Sequence, residues 1–272
     1  MTLPFQAIAF DMDGTFAHDD KSYDKARFER ILYQLPDRNV HVIVASGDQY
    51  ENLRQYFPET FRHLTFVTEN GAYVVEDDQA LMTKTIEPSV VRSLIPFMVD
   101  ELHLIPLMVG TKAGYLSRQM SPEMMKVMKF YFPKHSLVDN FDVLPDDRFF
   151  QISFTVNDEA ETRRLLAAIQ NRFGNRLAAT PSGNGSVDLT VPGVDKAFAL
   201  RFLLKKWKMS AAKLLAFGDG GNDVTMLKLA GISWAMPNGG QPAKQAAGQV
   251  APKDNNHDGV LDLLEAYLQK KM

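Results

Sequence analysis

Phe5-Gln6-Ala7-Ile8-Ala9-Phe10-Asp11-Met12-Asp13-Gly14-Thr15 is the stretch on which the fold turns. Its first half is apolar enough for a strand buried on both faces, and it ends without a linker in two aspartates and a glycine. The same texture recurs further along. Residues 40–45 read as a strand that stops at Ser46-Gly47, and Thr65–Thr68 as one that stops at Glu69-Asn70-Gly71-Ala72, where Asn-Gly signals a turn. Residues 214–217 empty into Gly218-Asp219-Gly220-Gly221-Asn222-Asp223.

Helical periodicity fills the gaps, over residues 23–35, 48–57 and 195–208, after the last glycine-rich run to about Ala230, and over 259–269 behind a strand at 232–236. Short buried strands alternating with helices specify an α/β fold with a Rossmann-like parallel sheet. Between Lys84 and Thr190 the pattern changes. Strands are expected at 105–109, 114–117 and 149–156, and helices at 88–104, 122–132 and 159–173. The last helix is opened by Asp158 with Glu161 and stopped by Gly174. The alternating pattern resumes at 187–191. The expected organisation is a core domain of residues 1–83 and 191–272 carrying an inserted α+β cap domain, 84–190.

Composition narrows the chemistry. The chain has 272 residues, 30 Lys+Arg against 33 Asp+Glu, a net charge of −3 and no cysteine. Disulfide scaffolds, zinc–thiolate and iron–sulfur sites and thiolate nucleophiles are excluded. A near-neutral balance gives no electrostatic footprint for nucleic acid. The first residues lack a basic stretch and reach Asp11 quickly, and the most apolar window, 94–110, is broken by Asp100, Glu101 and His103. The expectation is a cytoplasmic protein without a membrane partner. His18, His41, His63, His103 and His135 are isolated and form no ligand spacing.

Ligands of open parallel sheets sit beyond the carboxyl ends of the strands at a switch point, so the four polar strand ends can converge on one pocket. Asp11 and Asp13, two apart in extended chain, are expected on the same side. With Asp219 and Asp223 they make four carboxylates that need a cation to stay ionised together, and hard oxygen donors without His or Cys point to Mg²⁺. Ser46-Gly47 at a strand-to-helix junction and Lys196 near a helix start supply the phosphate side. A carboxylate such as Asp11 can attack phosphorus, with Asp13 protonating the leaving alkoxide and then activating water.

Asp11-Met12-Asp13-Gly14-Thr15, Ala45-Ser46-Gly47, Gly193-Val194-Asp195-Lys196 and Gly218 to Asp223, in that order, closely resemble the four motifs of the haloacid dehalogenase superfamily. The insert looks like the α/β cap of its Cof-type branch. Glu69-Asn70-Gly71-Ala72 and Asp254-Asn255-Asn256-His257 also resemble that branch, most of all its bacterial sugar-phosphate phosphatases. The resemblance implies Asp11 as nucleophile and Asp13 as acid/base. It implies Met12, Ser46, Gly47, Asp48, Lys196 and Asn222 as the phosphate- and substrate-binding set, and Asp11, Asp13 (through its carbonyl), Asp219 and Asp223 as the Mg²⁺ set. The partner it implies is a small phosphorylated metabolite, with the chain a monomer or weak homo-oligomer. Asp48 departs from the Arg or Asn common in that branch, and an acid there is expected to disfavour a second phosphate and select monophosphates.

Rival readings are weaker. Asp223 occupies the third glycine position of a dinucleotide fingerprint, no P-loop run exists, and Arg62-His63 is followed by Leu64 rather than Gly. Asp254-x-Asn256-x-Asp258-Gly259 with Glu265 satisfies a calcium-loop pattern, but Pro242, Gly248 and Pro252 spoil the entering helix, so Asn255 or Asn256 is expected to cap the last helix instead. Asn256-His257-Asp258 would need an early Asp-x-His for a dinuclear metallophosphoesterase, and position 13 is Asp. Thr111, Lys112, Tyr115 and Asn184 are candidate substrate contacts in the insert, against ordinary loop surface, and Gly183, Gly185 and Gly193 candidate hinges. The alternatives to a phosphatase are a phosphotransferase or phosphomutase on the same scaffold, or a metal-binding regulatory protein without turnover.

Overall fold

A computed structural model describes residues 3–35, 38–183 and 185–269. In chain order its elements are β1 (Ala7–Phe10), α1 (Lys25–Leu32), β2 (His41–Ala45), α2 (Tyr50–Tyr56), β3 (Thr65–Thr68), β4 (Tyr73–Glu76), β5 (Gln79–Thr83), α3 (Pro88–Pro96), β6 (Leu107–Gly110), β7 (Gly114–Ser117), α4 (Pro122–Tyr131) and β8 (His135–Val138). They continue with β9 (Phe149–Thr155), α5 (Glu159–Phe173), β10 (Ala178–Gly183), β11 (Ser186–Thr190), α6 (Lys196–Lys206), β12 (Leu214–Gly218), α7 (Val224–Leu229), β13 (Ile232–Ala235), α8 (Gln241–Ala246), β14 (Gln249–Val250) and α9 (Gly259–Leu268). The chain divides into two compact units, one of Met1–Gly47, Phe57–Met82 and Asp195–Met272, the other of Asp48–Tyr56 and Thr83–Val194. The segment Asp48–Tyr56, placed by the sequence with the first part, thus groups with the second.

The first unit is built on an eight-stranded sheet ordered β14-β13-β12-β1-β2-β3-β4-β5. From β14 to β3 the strands are parallel, and β4 turns back antiparallel to β3. Every residue of β1, β12 and β3 is buried, which explains their near-continuous apolar sequence. β1 lies between β12 and β2, with Phe10 opposite both Phe217 and Val44. The chain runs outward from β1 through β2 to β3 on one side and from β12 through β13 to β14 on the other, so the topological switch point falls between the carboxyl ends of β1 and β12. One core cluster gathers Ala9, Ile43, Val67 and Ala216 of the strands with Leu200 and Leu203 of α6 and Met226 of α7. Phe16, Phe28 and Phe57 form another apolar contact group, with ring centroids 5.0 to 6.1 Å apart.

The second unit holds a six-stranded sheet ordered β10-β11-β9-β6-β7-β8. Its pairs are antiparallel except β7 with β8, which α4 connects. Met108, Ile152, Phe154, Val187 and Leu189 of the strands pack with Val91, Leu94 and Ile95 of α3 and Leu165, Ile169 and Phe173 of α5. α5 starts and stops as its sequence predicts, with Asp158 accepting the Glu161 N–H at 2.6 Å and Gly174 at φ +56°. The helix expected over 88–104 ends its α-helical part at Pro96, which lacks an N–H, and continues as one wider π turn, Phe97–Glu101. The strand read at 187–191 pairs antiparallel with β9 and β10 instead of resuming the parallel sheet. Among the described residues no helix is long and apolar enough to cross a membrane.

Candidate active site

The switch point is where the chemistry gathers. Asp11 follows β1 directly, and its N–H still donates to the Phe217 carbonyl of β12 at 3.1 Å. The chain then turns sharply, the Met12 carbonyl accepting from the N–H groups of Thr15, Phe16 and Ala17. Gly14 makes this possible at φ +75°; a Cβ there would stand 2.6 Å from Asp219 Oδ2. Thr15 Oγ1 donates to Asp219 Oδ1 at 2.8 Å, which ties the β1 turn to the residue just past β12. The acidic cluster within 4.8 Å consists of Asp11, Asp219 and Asp223. Asp13 instead accepts Lys21 Nζ at 2.8 Å, while remaining near enough to Asp219 to add to its charge repulsion.

Lys196 is the first residue of α6, a helix capped by Asp195, whose side chain accepts the Phe198 N–H at 2.7 Å. Its side chain is completely buried, with Nζ 2.6 Å from both Asp11 Oδ1 and Asp223 Oδ1. Burial alone would strip the proton from this amine, but the two carboxylates outweigh it and hold Lys196 charged. Asp223 Oδ2 accepts the N–H groups of Asp219 and Gly220, both at 2.9 Å, so that carboxylate is fixed in place by Lys196 and the backbone. Burial raises Asp11 well above the usual carboxylate range; Lys196 opposes the rise, and the charges of Asp223 and Asp219 add to it. Burial likewise pushes Asp219 up to about 6, against the Thr15 hydrogen bond. With all three ionised, the carboxylates set against one ammonium leave two negative charges uncompensated. Asp11 Oδ2 and Asp219 Oδ2 carry no hydrogen bond from the described residues. An all-oxygen donor set with open carboxylate oxygens and excess negative charge fits a hard divalent cation.

The remaining predicted residues fall into place differently. Ser46 is buried directly past β2, its N–H bonded to the Val67 carbonyl at 2.9 Å and its own carbonyl receiving the Asn70 N–H at 3.1 Å. Gly47 lies against the Asn70 amide, 3.1 Å from where a Cβ would be. Asn222 is exposed on the turn before α7, donating to Asn70 Oδ1 at 3.0 Å. Met12 is fully buried. Asp48 belongs to the second unit, where Oδ2 accepts from Asn52 at 3.2 Å and extends the start of α2. Thr15 and Asn70 as organising contacts were not read from the sequence. Thr15 stands inside the Asp-x-Asp-Gly-Thr run, but nothing there marks Asp219 as its partner.

Three candidates in the insert have structural partners. The Asp147 carboxylate accepts from Thr111 N–H and Oγ1, Lys112 N–H, Tyr115 OH and Arg148 N–H, which closes the loop between β6 and β7. Asn184 lies outside the described residues. The calcium-loop pattern does not form a loop around an ion, because Glu265 is held by Arg27 Nε and Nη2 at 2.9 and 2.7 Å. Nor do the asparagines cap α9. Asn255 donates to the Ala17 carbonyl and to Asp19, and Asn256 to Asp19, while Asp258 precedes the helix in a left-handed conformation. His18, read as isolated, bonds Asp258 at 2.9 Å.

Comparison with known proteins extends over nearly the whole chain. The family described as haloacid dehalogenase-like hydrolase matches residues 8–264. The 5-amino-6-(5-phospho-D-ribitylamino)uracil phosphatase YbjI of Escherichia coli is 34% identical over 267 residues, covering 98% of this chain and 97% of that protein. The HMP-PP phosphatase of Cronobacter sakazakii is 26% identical over 231 residues, 85% of this chain and 83% of its own. Among solved structures, a protein of Streptococcus mutans superposes with a TM-score of 0.90 at 39% identity, over 97% of this chain and 99% of that one.

Proposed function

The chain belongs to the haloacid dehalogenase-like hydrolase family and is a hydrolase of phosphoric monoesters, and from that premise we propose a Mg²⁺-dependent phosphatase of small sugar-type phosphates that works through a phosphorylated Asp11. The observation that carries this reading is the buried Lys196 held 2.6 Å from both Asp11 and Asp223, with Asp219 beside them at the switch point. Lys196 opposes the burial that raises Asp11 and engages one of its oxygens, leaving the other without a hydrogen bond from the described residues and open to act as nucleophile. An ion held by Asp11, Asp219 and Asp223, when bound, supplies positive charge against the phosphoryl oxygens.

The chemistry then follows from this chain's own groups. Asp11 forms a bond to phosphorus as the ester P–O bond breaks, and the leaving alkoxide takes a proton from Asp13. Asp13 afterwards removes a proton from water, whose oxygen attacks the phosphorus and releases Asp11 and inorganic phosphate. Ser46, the Gly47 backbone, Lys196 and Asn222 bind the transferring group. The Asp13 side chain is more exposed than that of Asp11, 38% against 9%, which gives it access to water for proton exchange. The sugar-type substrate is supported by the Escherichia coli relative, named for a substrate whose phosphate is on a D-ribityl group. Asp48 favours monophosphates, since its charge disfavours a second phosphate.

The test is phosphate release from p-nitrophenyl phosphate and a panel of sugar phosphates with Mg²⁺. Turnover should require the ion, vanish in Asp11→Asn, and show higher kcat/KM on monophosphates than on bisphosphates. Full activity in Asp11→Asn would contradict the mechanism, and a preference for bisphosphates would contradict the assignment of Asp48.

A further inference from the structure

At Glu69-Asn70-Gly71 three successive residues stand at positive φ, +51°, +52° and +96°. Two of the three are not glycine, and left-handed conformations at such residues persist only where surrounding contacts hold them. Contacts of Asn70 and Gly71 lie on segments of the proposed phosphate site. The Asn70 N–H donates to the Ser46 carbonyl at 3.1 Å, and its side-chain amide lies against Gly47. Gly71 packs so closely on the Asp195 carbonyl that a Cβ would come within 2.1 Å, next to Lys196. Asn70 Oδ1 accepts from Asn222 Nδ2 at 3.0 Å, the sole hydrogen bond of the Asn222 side chain to the described residues. One turn therefore touches three separate phosphate-binding segments, and its central side chain holds the exposed Asn222.

We propose that Asn70 is a positioning residue for phosphate binding, its Oδ1 orienting the Asn222 amide while its backbone sets the Ser46-Gly47 arm. This rests on the reading of Asn222 and Ser46 as phosphate ligands given above. Asparagine meets both demands, since it tolerates the left-handed backbone and carries the acceptor. The effect belongs to binding of the phosphoryl group more than to proton transfer, so KM and inhibition by orthophosphate move further than kcat.

Asn70→Gly separates the two roles, because glycine eases the left-handed backbone while deleting the amide. Orthophosphate inhibition and p-nitrophenyl phosphate kinetics are measured for wild type, Asn70→Gly, Asn222→Ala and the double variant, with thermal melting as a check on folding. The expected result is an orthophosphate inhibition constant raised about tenfold in Asn70→Gly, kcat within about threefold, and an undiminished melting temperature. In the Asn222→Ala background the same substitution should change the constant less than about twofold. Wild-type phosphate binding in Asn70→Gly, or an equal loss in both backgrounds, overturns the proposal and leaves Asn70 a backbone residue only. Loss of melting temperature with unchanged orthophosphate inhibition in the folded fraction overturns it as well. Wild-type behaviour of Asn222→Ala, by contrast, overturns the underlying assignment of Asn222.

Discussion

At the scale of single residues, Lys196 is the organising charge of the site. It is the one lysine that is completely buried among the described residues, and its two carboxylate partners are themselves buried. Removing one member of such a group leaves the others uncompensated, so Lys196→Met should lose about 3 to 5 kcal/mol of stability in urea unfolding at neutral pH. A variant as stable as wild type would mean the carboxylates take up protons at no cost. Asp219 supplies a pH dependence of unusual sign. Its folded pKa of about 6 lies above the ordinary value of 3.8, so the folded state binds the extra proton between those values and loses stability as pH rises through that window. Because a cation needs Asp219 ionised, the Mg²⁺-induced rise in melting temperature should be larger at about pH 7.5 than at about pH 5; equal shifts would remove Asp219 from the ion's donor set. The candidate residues were legible in the sequence because each follows a buried strand or opens a helix. What was not legible is pairing. No one-dimensional pattern marks Lys21 as the partner of Asp13 or Thr15 as the partner of Asp219.

At the scale of elements, the C-terminal helix holds the segment that follows the nucleophile. Arg27 of α1 reaches Asp262 and Glu265 of α9 at 2.6 and 2.7 Å, and its hydrogen bonds keep Glu265 below the usual carboxylate range. Asn255 and Asn256 fasten Asp19, and Asp258 fastens His18, a few residues from the Lys21–Asp13 pair. Arg27→Ala should therefore cost about 1 to 3 kcal/mol and lower kcat/KM several-fold without changing the Mg²⁺ requirement, measured by urea unfolding and steady-state kinetics. An unchanged kcat/KM would separate this clamp from the site. The Asp-Asn-Asn-His run read as a helix cap is this clamp. Its role depends on residues some 240 positions earlier in the chain, which local capping rules do not reach.

At the scale of the whole molecule, the parallel sheet was legible because its central strands are apolar on both faces and end in polar residues. The second sheet was only partly so. β10 contains Pro181 and Gly183, residues that strand preferences disfavour, and β8 is short and carries His135 and Ser136; in the first sheet the edge strands β5 and β14 are weak signals for the same reason. β9 and β11 also bury a polar row, Gln151 donating to Ser153 and Ser153 to Asp188, which breaks the apolar run a buried strand usually shows. Charge follows the same division. Residues 84–190 hold 12 basic and 12 acidic side chains, so the entire net charge of −3 belongs to the segments that carry the aspartate cluster and Lys196. The central claim is that those segments transfer phosphate through Asp11. The direct measurement is an acid quench of the protein during turnover of a phosphate monoester, with peptide mapping by mass spectrometry. The account predicts a phosphoryl group on the peptide containing Asp11, enriched in Asp13→Asn, where hydrolysis of the intermediate is slowed. Turnover with no phosphoryl group on that peptide, in either protein, would contradict it.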